Sequence, residues 1–160
     1  MRKCILGIAL LLLIATSTSG QETKTIQTRF GALTVSDAGL LLFKGSPVQP
    51  KLEADNSLDL SEPYQIGAAD VVLITDDYGT ACPAIYYFVT INKSGAKLTH
   101  SFGTCSDLIK VKRIGDSISL SMPGYKGPLE SKRAQTRAAR ESHVFIYRAG
   151  MVTENGKPVK

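Results

Sequence analysis

Short segments of alternating apolar and polar residues constrain the fold of this chain more than any other feature. In residues 117–122, Ile118, Leu120 and Met122 alternate with serines, so an extended chain has one apolar and one hydroxyl face. Turn signals recur about every ten residues, which is typical of antiparallel β-domains. Gly115-Asp116 precedes this segment and predicts a hairpin over residues 108–122.

Other segments predict further strands. Residues 85–91 are apolar on both faces, which indicates a central strand covered on both sides. A turn at residues 93–95 begins a second hairpin, and Asn155-Gly156 is a strong two-residue hairpin signal. Residues 47–63, with several prolines and isolated leucines, predict a long connection with short strands at most. Further strands are expected at residues 33–35, 40–43, 71–75 and 144–147.

One segment has a helical composition. Residues 130–142 are rich in Ala, Arg, Gln and Glu, contain Thr136 as their one β-branched residue, and offer Ser131 as an N-cap. The sequence therefore predicts a mainly β (α+β) fold. We expect a single antiparallel β-sheet domain, either a sandwich or an open barrel, with one C-terminal helix.

The amino terminus is organised like a secretory signal peptide. A basic start is followed by an apolar run at residues 4–15 and by small residues at 16–20. This run is shorter than the roughly 20 apolar residues of a membrane-spanning helix. We therefore expect residues 1–20 to be removed, which leaves one exported β-rich domain, residues 21–160, that does not span a membrane. The short basic start favours a bacterial source and a periplasmic or secreted location.

Removal of the leader leaves two cysteines, Cys82 and Cys105. In an oxidising compartment such a pair predicts a disulfide. Closing a loop of about 24 residues stabilises a fold by about 3 kcal/mol in the chain-entropy model. The predicted bond also argues against a cysteine nucleophile.

Charge is distributed unevenly along the chain. From residue 21 to residue 106 there are 6 basic and 9 acidic side chains, whereas residues 107–160 hold 11 basic and 5 acidic ones. A basic carboxy-terminal part favours an acidic partner.

Basic residues of the predicted helix form the first candidate binding surface. Arg133, Arg137 and Arg140 are spaced i, i+4 and i+7, which places them on one helical face that could bind phosphate or carboxylate. The preceding loop presents Tyr125 and Lys126 between two prolines, as a pre-organised contact. The simpler explanation of the arginines is a solvated charged face, and that of the loop is a plain connector between the hairpin and the helix.

The predicted disulfide draws two polar loops together, and these form the second candidate site. Their polar side chains are Asp76, Asp77, Thr80, Ser106 and Asp107. Oxygen-rich loops of an exported protein could hold Ca²⁺ or bind a polar ligand. Asp and Gly are also ordinary turn formers, and the spacing is not that of an EF-hand, so we predict neither a metal nor a cofactor.

The chain has two histidines for acid–base chemistry, His100 and His143. His100 is in phase with Leu98 and Phe102, which predicts an inward-facing core residue. His143 directly follows the helix, where a cation is electrostatically favourable. The motifs HExxH, GxSxG, the P-loop and the Rossmann fingerprint are absent from the sequence.

Together these features favour a small exported binding module over an enzyme. An inhibitor or immunity-type protein would dock its loop and charged face on an acidic partner, either a protein or an envelope component. Nucleic acid is not expected as a partner, because export removes the chain from it and aromatic residues do not interleave with the basic ones. The alternatives are a small secreted hydrolase using Asp and His as acid and base, and a structural envelope component.

Overall fold

The computed structural model describes residues 24–160, so the predicted signal peptide lies outside the described residues. Antiparallel strands and one short helix, α1 (Lys132–Ala138), make up the described part. The strands are β1 (Thr25–Thr28), β2 (Gly31–Val35), β3 (Leu41–Phe43), β4 (Ser46–Pro47), β5 (Ser57–Leu60), β6 (Tyr64–Ile66), β7 (Ala69–Asp77), β8 (Ala84–Asn92), β9 (Gly95–Leu98), β10 (Phe102–Cys105), β11 (Lys110–Ile114), β12 (Ser117–Pro123), β13 (Ser142–Arg148), β14 (Met151–Glu154) and β15 (Lys157–Pro158). The predicted mainly β class with one helix is confirmed.

These strands form three antiparallel sheets. The first sheet has the strand order β1-β2-β3-β4. The central sheet has the order β10-β8-β7-β5, with β6 paired to β7 and β9 paired to β8. The third sheet has the order β11-β12-β13-β14-β15 and contains the predicted hairpin around Gly115-Asp116 as β11 and β12.

Both faces of the central sheet are buried. Val72 pairs with Val89, and both belong to the apolar core shared with the first sheet. The next register pair, Leu73 and Phe88, belongs to the core shared with the third sheet. Successive residues of a strand point to opposite faces, so β7 and β8 supply side chains to both cores. The predicted central strand over residues 85–91 is therefore confirmed.

Aromatic rings form the centre of the core between the central and third sheets. Phe88 is fully buried, with its ring centroid 4.7 Å from that of Tyr147 and 5.4 Å from that of Phe102. Phe102 also contacts Phe145, at 5.3 Å between centroids. Such tilted and offset pairs add to the stabilisation from burial.

The predicted disulfide is present. Cys82 and Cys105 are bonded, with 4.6 Å between their Cα atoms. The bond joins the segment before β8 to the last residue of β10. It therefore fixes a loop of the central sheet to that sheet's edge strand.

The helix is shorter than the sequence predicts. Ser131 is its N-cap and accepts a hydrogen bond from the Ala134 amide, as expected, but α1 ends at Ala138. The chain beyond it joins the third sheet, where Ser142 pairs with Pro123. Tertiary pairing thus overrides the helical propensity of the last predicted residues.

The prediction for His100 is wrong. Its side chain is exposed, because Leu98 and Thr99 are both buried and the alternation shifts by one residue. The Thr99 hydroxyl accepts a hydrogen bond from the Phe88 amide at 3.0 Å, which gives this buried polar group a partner.

Residues 47–63 have short strands only, as predicted. The isolated apolar residues Val48, Leu52 and Leu58 are buried in the core between the first and central sheets. The connection is therefore attached to the core at three points.

Candidate functional site

A cleft of about 440 Å³ lies between α1, the loop that precedes it and the start of β13. Its charged and aromatic lining side chains are Tyr125, Lys126, Arg133, Arg137, Glu141 and His143. Four of the five predicted binding residues therefore lie together in one concave site.

Arg140 is the exception. It lies two residues beyond the end of α1, so it does not continue the helical face of Arg133 and Arg137. It lines a separate depression that Arg133 and Arg137 also reach. The helix ends before Arg140, but Arg140 still shares one surface with Arg133 and Arg137. All three arginines are exposed, as a solvated face would be.

A glycine lets the helix approach the sheet at the base of the cleft. Gly124 is buried, and an added Cβ would lie 2.8 Å from the carbonyl oxygen of Ala138 and 3.0 Å from Oε2 of Glu141. Ala138 is buried as well, which places the small side of α1 against the third sheet. A larger residue at position 124 would displace the end of the helix.

Hydrogen bonds hold the loop that carries Tyr125. The Tyr125 hydroxyl donates to the carbonyl of Thr80 at 2.8 Å, and Thr80 lies two residues before Cys82. The Thr104 hydroxyl, next to Cys105, donates to the carbonyl of Pro123 at 2.6 Å. Both segments joined by the disulfide therefore contact the loop of the cleft.

The charges of the cleft favour an anionic ligand. Lys126, Arg133 and Arg137 supply three cations, and Glu141 supplies a carboxylate near their edge. A guanidinium presents paired N–H donors that match a carboxylate or phosphate. The Tyr125 ring adds a rigid apolar surface beside these cations.

His143, one of the two histidines that the sequence offers for acid–base chemistry, lines the cleft although it was not among the predicted binding residues. It is half-buried, and its Nδ1 lies 2.8 Å from Oε1 of Glu154, so Nδ1–H donates to that carboxylate. Its Nε2 lies 3.6 Å from Oε2 of Glu141. One histidine nitrogen is thus oriented by a carboxylate while the ring lines the cleft.

This arrangement depends on a strand register. Arg148 pairs with Met151 across a turn at Ala149-Gly150, and the same register pairs Phe145 with Glu154. Glu154 therefore lies diagonally across from His143 on the same face of the sheet. The turn at Ala149-Gly150 is the sequence signal that could have identified the pair.

The second candidate site does not form as predicted. Asp76 lies on the face of the central sheet that also carries Val72 and Ile74. The carbonyl of Ser106 accepts a hydrogen bond from Tyr86, a residue of the opposite core. Burial raises the pKa of Tyr86 to about 12, and the nearby charge of Asp107 adds to the rise. The sheet therefore separates Asp76 from Ser106 and Asp107.

Asp77 and Thr80 have local structural roles. The Asp77 carboxylate accepts a hydrogen bond from the Gly79 amide at 2.8 Å, as a turn-forming Asp does. Thr80 contributes its carbonyl to Tyr125. Within residues 24–160, no group of three His, Cys, Asp or Glu side chains is placed to hold a metal ion.

Asp76 is nevertheless unusual. Its side chain is fully buried, and Oδ2 has no hydrogen-bond partner among the described residues, while Oδ1 accepts a hydrogen bond from the Asp55 amide. Burial raises the pKa of this carboxyl above its ordinary value of 3.8, and the neighbouring Asp55 and Asp77 add to the rise. Burial of a carboxylate is costly, and this cost is the cause of the upward shift.

We expect the stability of the protein relative to the variant Asp76→Asn to depend on pH. Below pH 3.8 the carboxyl is protonated in both folded and unfolded chains. As the pH rises through the raised pKa of folded Asp76, the free energy of unfolding of the wild type should fall relative to the variant, whose amide has no charge. Urea denaturation at several pH values measures this difference. A constant difference between wild type and variant would contradict the prediction.

Comparison with family models, with curated proteins and with solved structures finds no match to this chain. No helix within residues 24–160 is long and apolar enough to cross a membrane. The cleft therefore has to be interpreted from its own chemistry.

Proposed function

We propose that the protein is a small exported binding module whose cleft takes an acidic segment of a partner. The observation that carries this proposal is the convergence of Tyr125, Lys126, Arg133 and Arg137 on one cleft of about 440 Å³. Its volume lies in the range of typical ligand pockets. Acidic side chains of a partner loop would fit such a space, with the rest of the partner resting on the surrounding surface.

The rigidity of the loop supports a docking role. Tyr125 is held by Thr80, and Gln135 of α1 donates to the carbonyls of Gly127 and Glu130 at 3.2 and 2.9 Å. A contact residue that is already ordered loses little conformational entropy on binding. An inhibitor or immunity-type protein in the periplasm or outside the cell would act in this way, by occupying a surface of its target.

Charge reversal in the cleft tests the proposal. The double variant Arg133→Glu, Arg137→Glu should weaken binding of a fluorescent glutamate-rich peptide at least tenfold, because two attractive contacts become repulsive. Fluorescence anisotropy at low and physiological salt measures the affinity, and the salt dependence should decrease with it. The fold should persist, since both side chains are exposed.

Lys110→Glu with Lys112→Glu is the matched control. It makes the same change in net charge on β11, where both lysines are exposed and neither lines the cleft. Equal losses in both variants would show that the peptide responds to overall charge, and an unchanged affinity in the arginine variant would remove the cleft from the binding site.

A hydrolase is the second candidate, and one observation favours it. His143 lines the cleft with Nδ1 bonded to Glu154, an arrangement in which a carboxylate orients a general base. Asp76, Asp77 and Asp107, the carboxylates of the second candidate site, form no hydrogen bond to either histidine in the described part of the chain.

His143→Gln distinguishes the two candidates. A hydrolase acting on glycan or phosphodiester material would lose about 10²- to 10⁴-fold in rate without its general base. A binding module should keep its affinity for the acidic peptide within a few-fold. Hydrolysis of peptidoglycan and of a nitrophenyl phosphodiester by the wild type, abolished in the variant, would replace the binding proposal.

A further inference from the structure

The side of the third sheet that faces away from the core forms a flat surface. On β12, Ile118, Leu120 and Met122 are buried in the core. Side chains alternate along a strand, so the serines between them point to the other side. We call this side the outer face.

The strand register defines three rows across the outer face. Ile114, Ser117, Arg148 and Met151 form the first row, Lys112, Ser119, Ile146 and Thr153 the second, and Lys110, Ser121 and Val144 the third. With strands about 4.8 Å apart and alternate residues roughly 7 Å apart, these rows cover about 14 Å in each direction.

Three aliphatic side chains on this face are exposed. Met151 is 66% exposed, Ile114 57% and Ile146 37%. Ile114 and Met151 stand in the same row, beside the turns at Gly115-Asp116 and Ala149-Gly150. Ile146 is a diagonal neighbour of Met151, and Ile114 lies at the opposite end of the first row. Exposed apolar residues on one face that also carries polar and charged side chains are typical of an interaction surface.

The charge of the outer face has one sign. Lys110, Lys112 and Arg148 are exposed, and the outer-face positions of β11–β14 include no Asp or Glu. The carboxylates next to these positions in sequence lie off the face: Asp116 belongs to the hairpin turn, Glu141 precedes β13, and Glu154 of β14 is in register with the buried Phe145. A second copy of the chain is a poor occupant, because a symmetric pairing of this face would oppose cations to cations.

We propose that the outer face docks on an anionic lipid membrane. A lipid surface accepts a flat protein face and offers headgroup phosphates to the three cations. The exposed Ile114, Ile146 and Met151 would enter the boundary between headgroups and acyl chains. An acidic protein would satisfy the cations, but the projecting aliphatic side chains at the edge would need matching pockets on it.

Docking of the outer face leaves the cleft accessible. His143 lines the cleft and pairs in register with Met122, which points into the core. The cleft and the outer face therefore lie on opposite sides of the third sheet. The membrane proposal is independent of the ligand of the cleft, and each can fail without the other.

Vesicle binding tests the proposal. The purified protein should co-sediment with vesicles of phosphatidylcholine and phosphatidylglycerol and much less with pure phosphatidylcholine. The triple variant Lys110→Gln, Lys112→Gln, Arg148→Gln should lower the partition coefficient on the order of 100-fold, because one basic side chain near an anionic surface contributes roughly a factor of five. Binding should also weaken as salt rises.

Two further variants make the test specific. Lys44→Gln, Lys51→Gln, Lys93→Gln removes the same charge from exposed positions outside both the cleft and the outer face, and should leave vesicle binding near the wild-type value. Ile114→Ser with Met151→Ser should weaken vesicle binding while the salt dependence persists. Thermal unfolding of each variant confirms the fold, since all these side chains are exposed.

Three outcomes would overturn the proposal. One is equal binding to neutral and anionic vesicles. Another is unchanged binding in the outer-face triple variant, or an equal loss in the control variant at Lys44, Lys51 and Lys93. The third is a protein that does not bind vesicles but binds soluble polyglutamate, with this binding abolished in the outer-face triple variant. That result would assign the outer face to an acidic protein.

Discussion

Replacing Phe88 by alanine is expected to lower the free energy of unfolding by about 3–5 kcal/mol, the usual cost of deleting a buried aromatic ring. Phe88 is fully buried, and its ring lies between Tyr147 of the third sheet and Phe102 of the central sheet. The cavity would therefore open where two sheets pack. Since the free energy of unfolding of a small protein is only about 5–15 kcal/mol, this substitution would remove a large part of it.

Chemical denaturation with urea measures this loss, with Phe43→Ala as a control. Phe43 is half-buried at the periphery of the other core, so its truncation should cost clearly less. A loss at Phe88 no larger than that at Phe43 would show that the core between the central and third sheets is not packed as described.

Replacing both Cys82 and Cys105 by serine is expected to lower the free energy of unfolding by about 3 kcal/mol and the melting temperature by on the order of 10 °C. The two cysteines are 23 positions apart, and the lost constraint on the unfolded chain sets the size of the effect. Scanning calorimetry of the double variant, with and without reductant, measures it.

The variant should also bind an acidic peptide less tightly. The segments on either side of the bond contact the cleft loop through Thr80–Tyr125 and Thr104–Pro123. Reduction of the wild type should likewise lower its melting temperature and weaken its binding of the peptide. Reductant should change neither property of the double variant. A variant with wild-type melting and binding would show that hydrogen bonds alone hold these segments.

The sequence predicts those features of the fold that depend on local pattern. Alternation within residues 117–122 identifies β12, and the two-sided apolar run at residues 85–91 identifies the buried strand β8. The packing of the three sheets against one another requires contacts between distant segments, and a local pattern carries no information on these contacts. One inserted inward-facing residue, Thr99, was enough to reverse the prediction for His100.

The candidate site also combines features that the local sequence predicts with features that depend on the pairing of strands. Tyr125, Lys126, Arg133 and Arg137 are close in sequence, and their convergence follows from one loop and one helix. The contact between His143 and Glu154 instead depends on the register of β13 and β14. The separation of Asp76 from Asp107 likewise depends on which face of the central sheet each one adjoins.

The sheets follow one another along the chain without interleaving. The first uses residues 25–47, the central one residues 57–105 and the third residues 110–158. Most pairings join strands adjacent in sequence, so each sheet is formed from one continuous stretch of chain. In a chain that is exported with its amino terminus first, the first sheet would therefore emerge first, followed by the central sheet and then the third. Each sheet could pack on the one that emerged before it, so export and folding would proceed in the same direction along the chain.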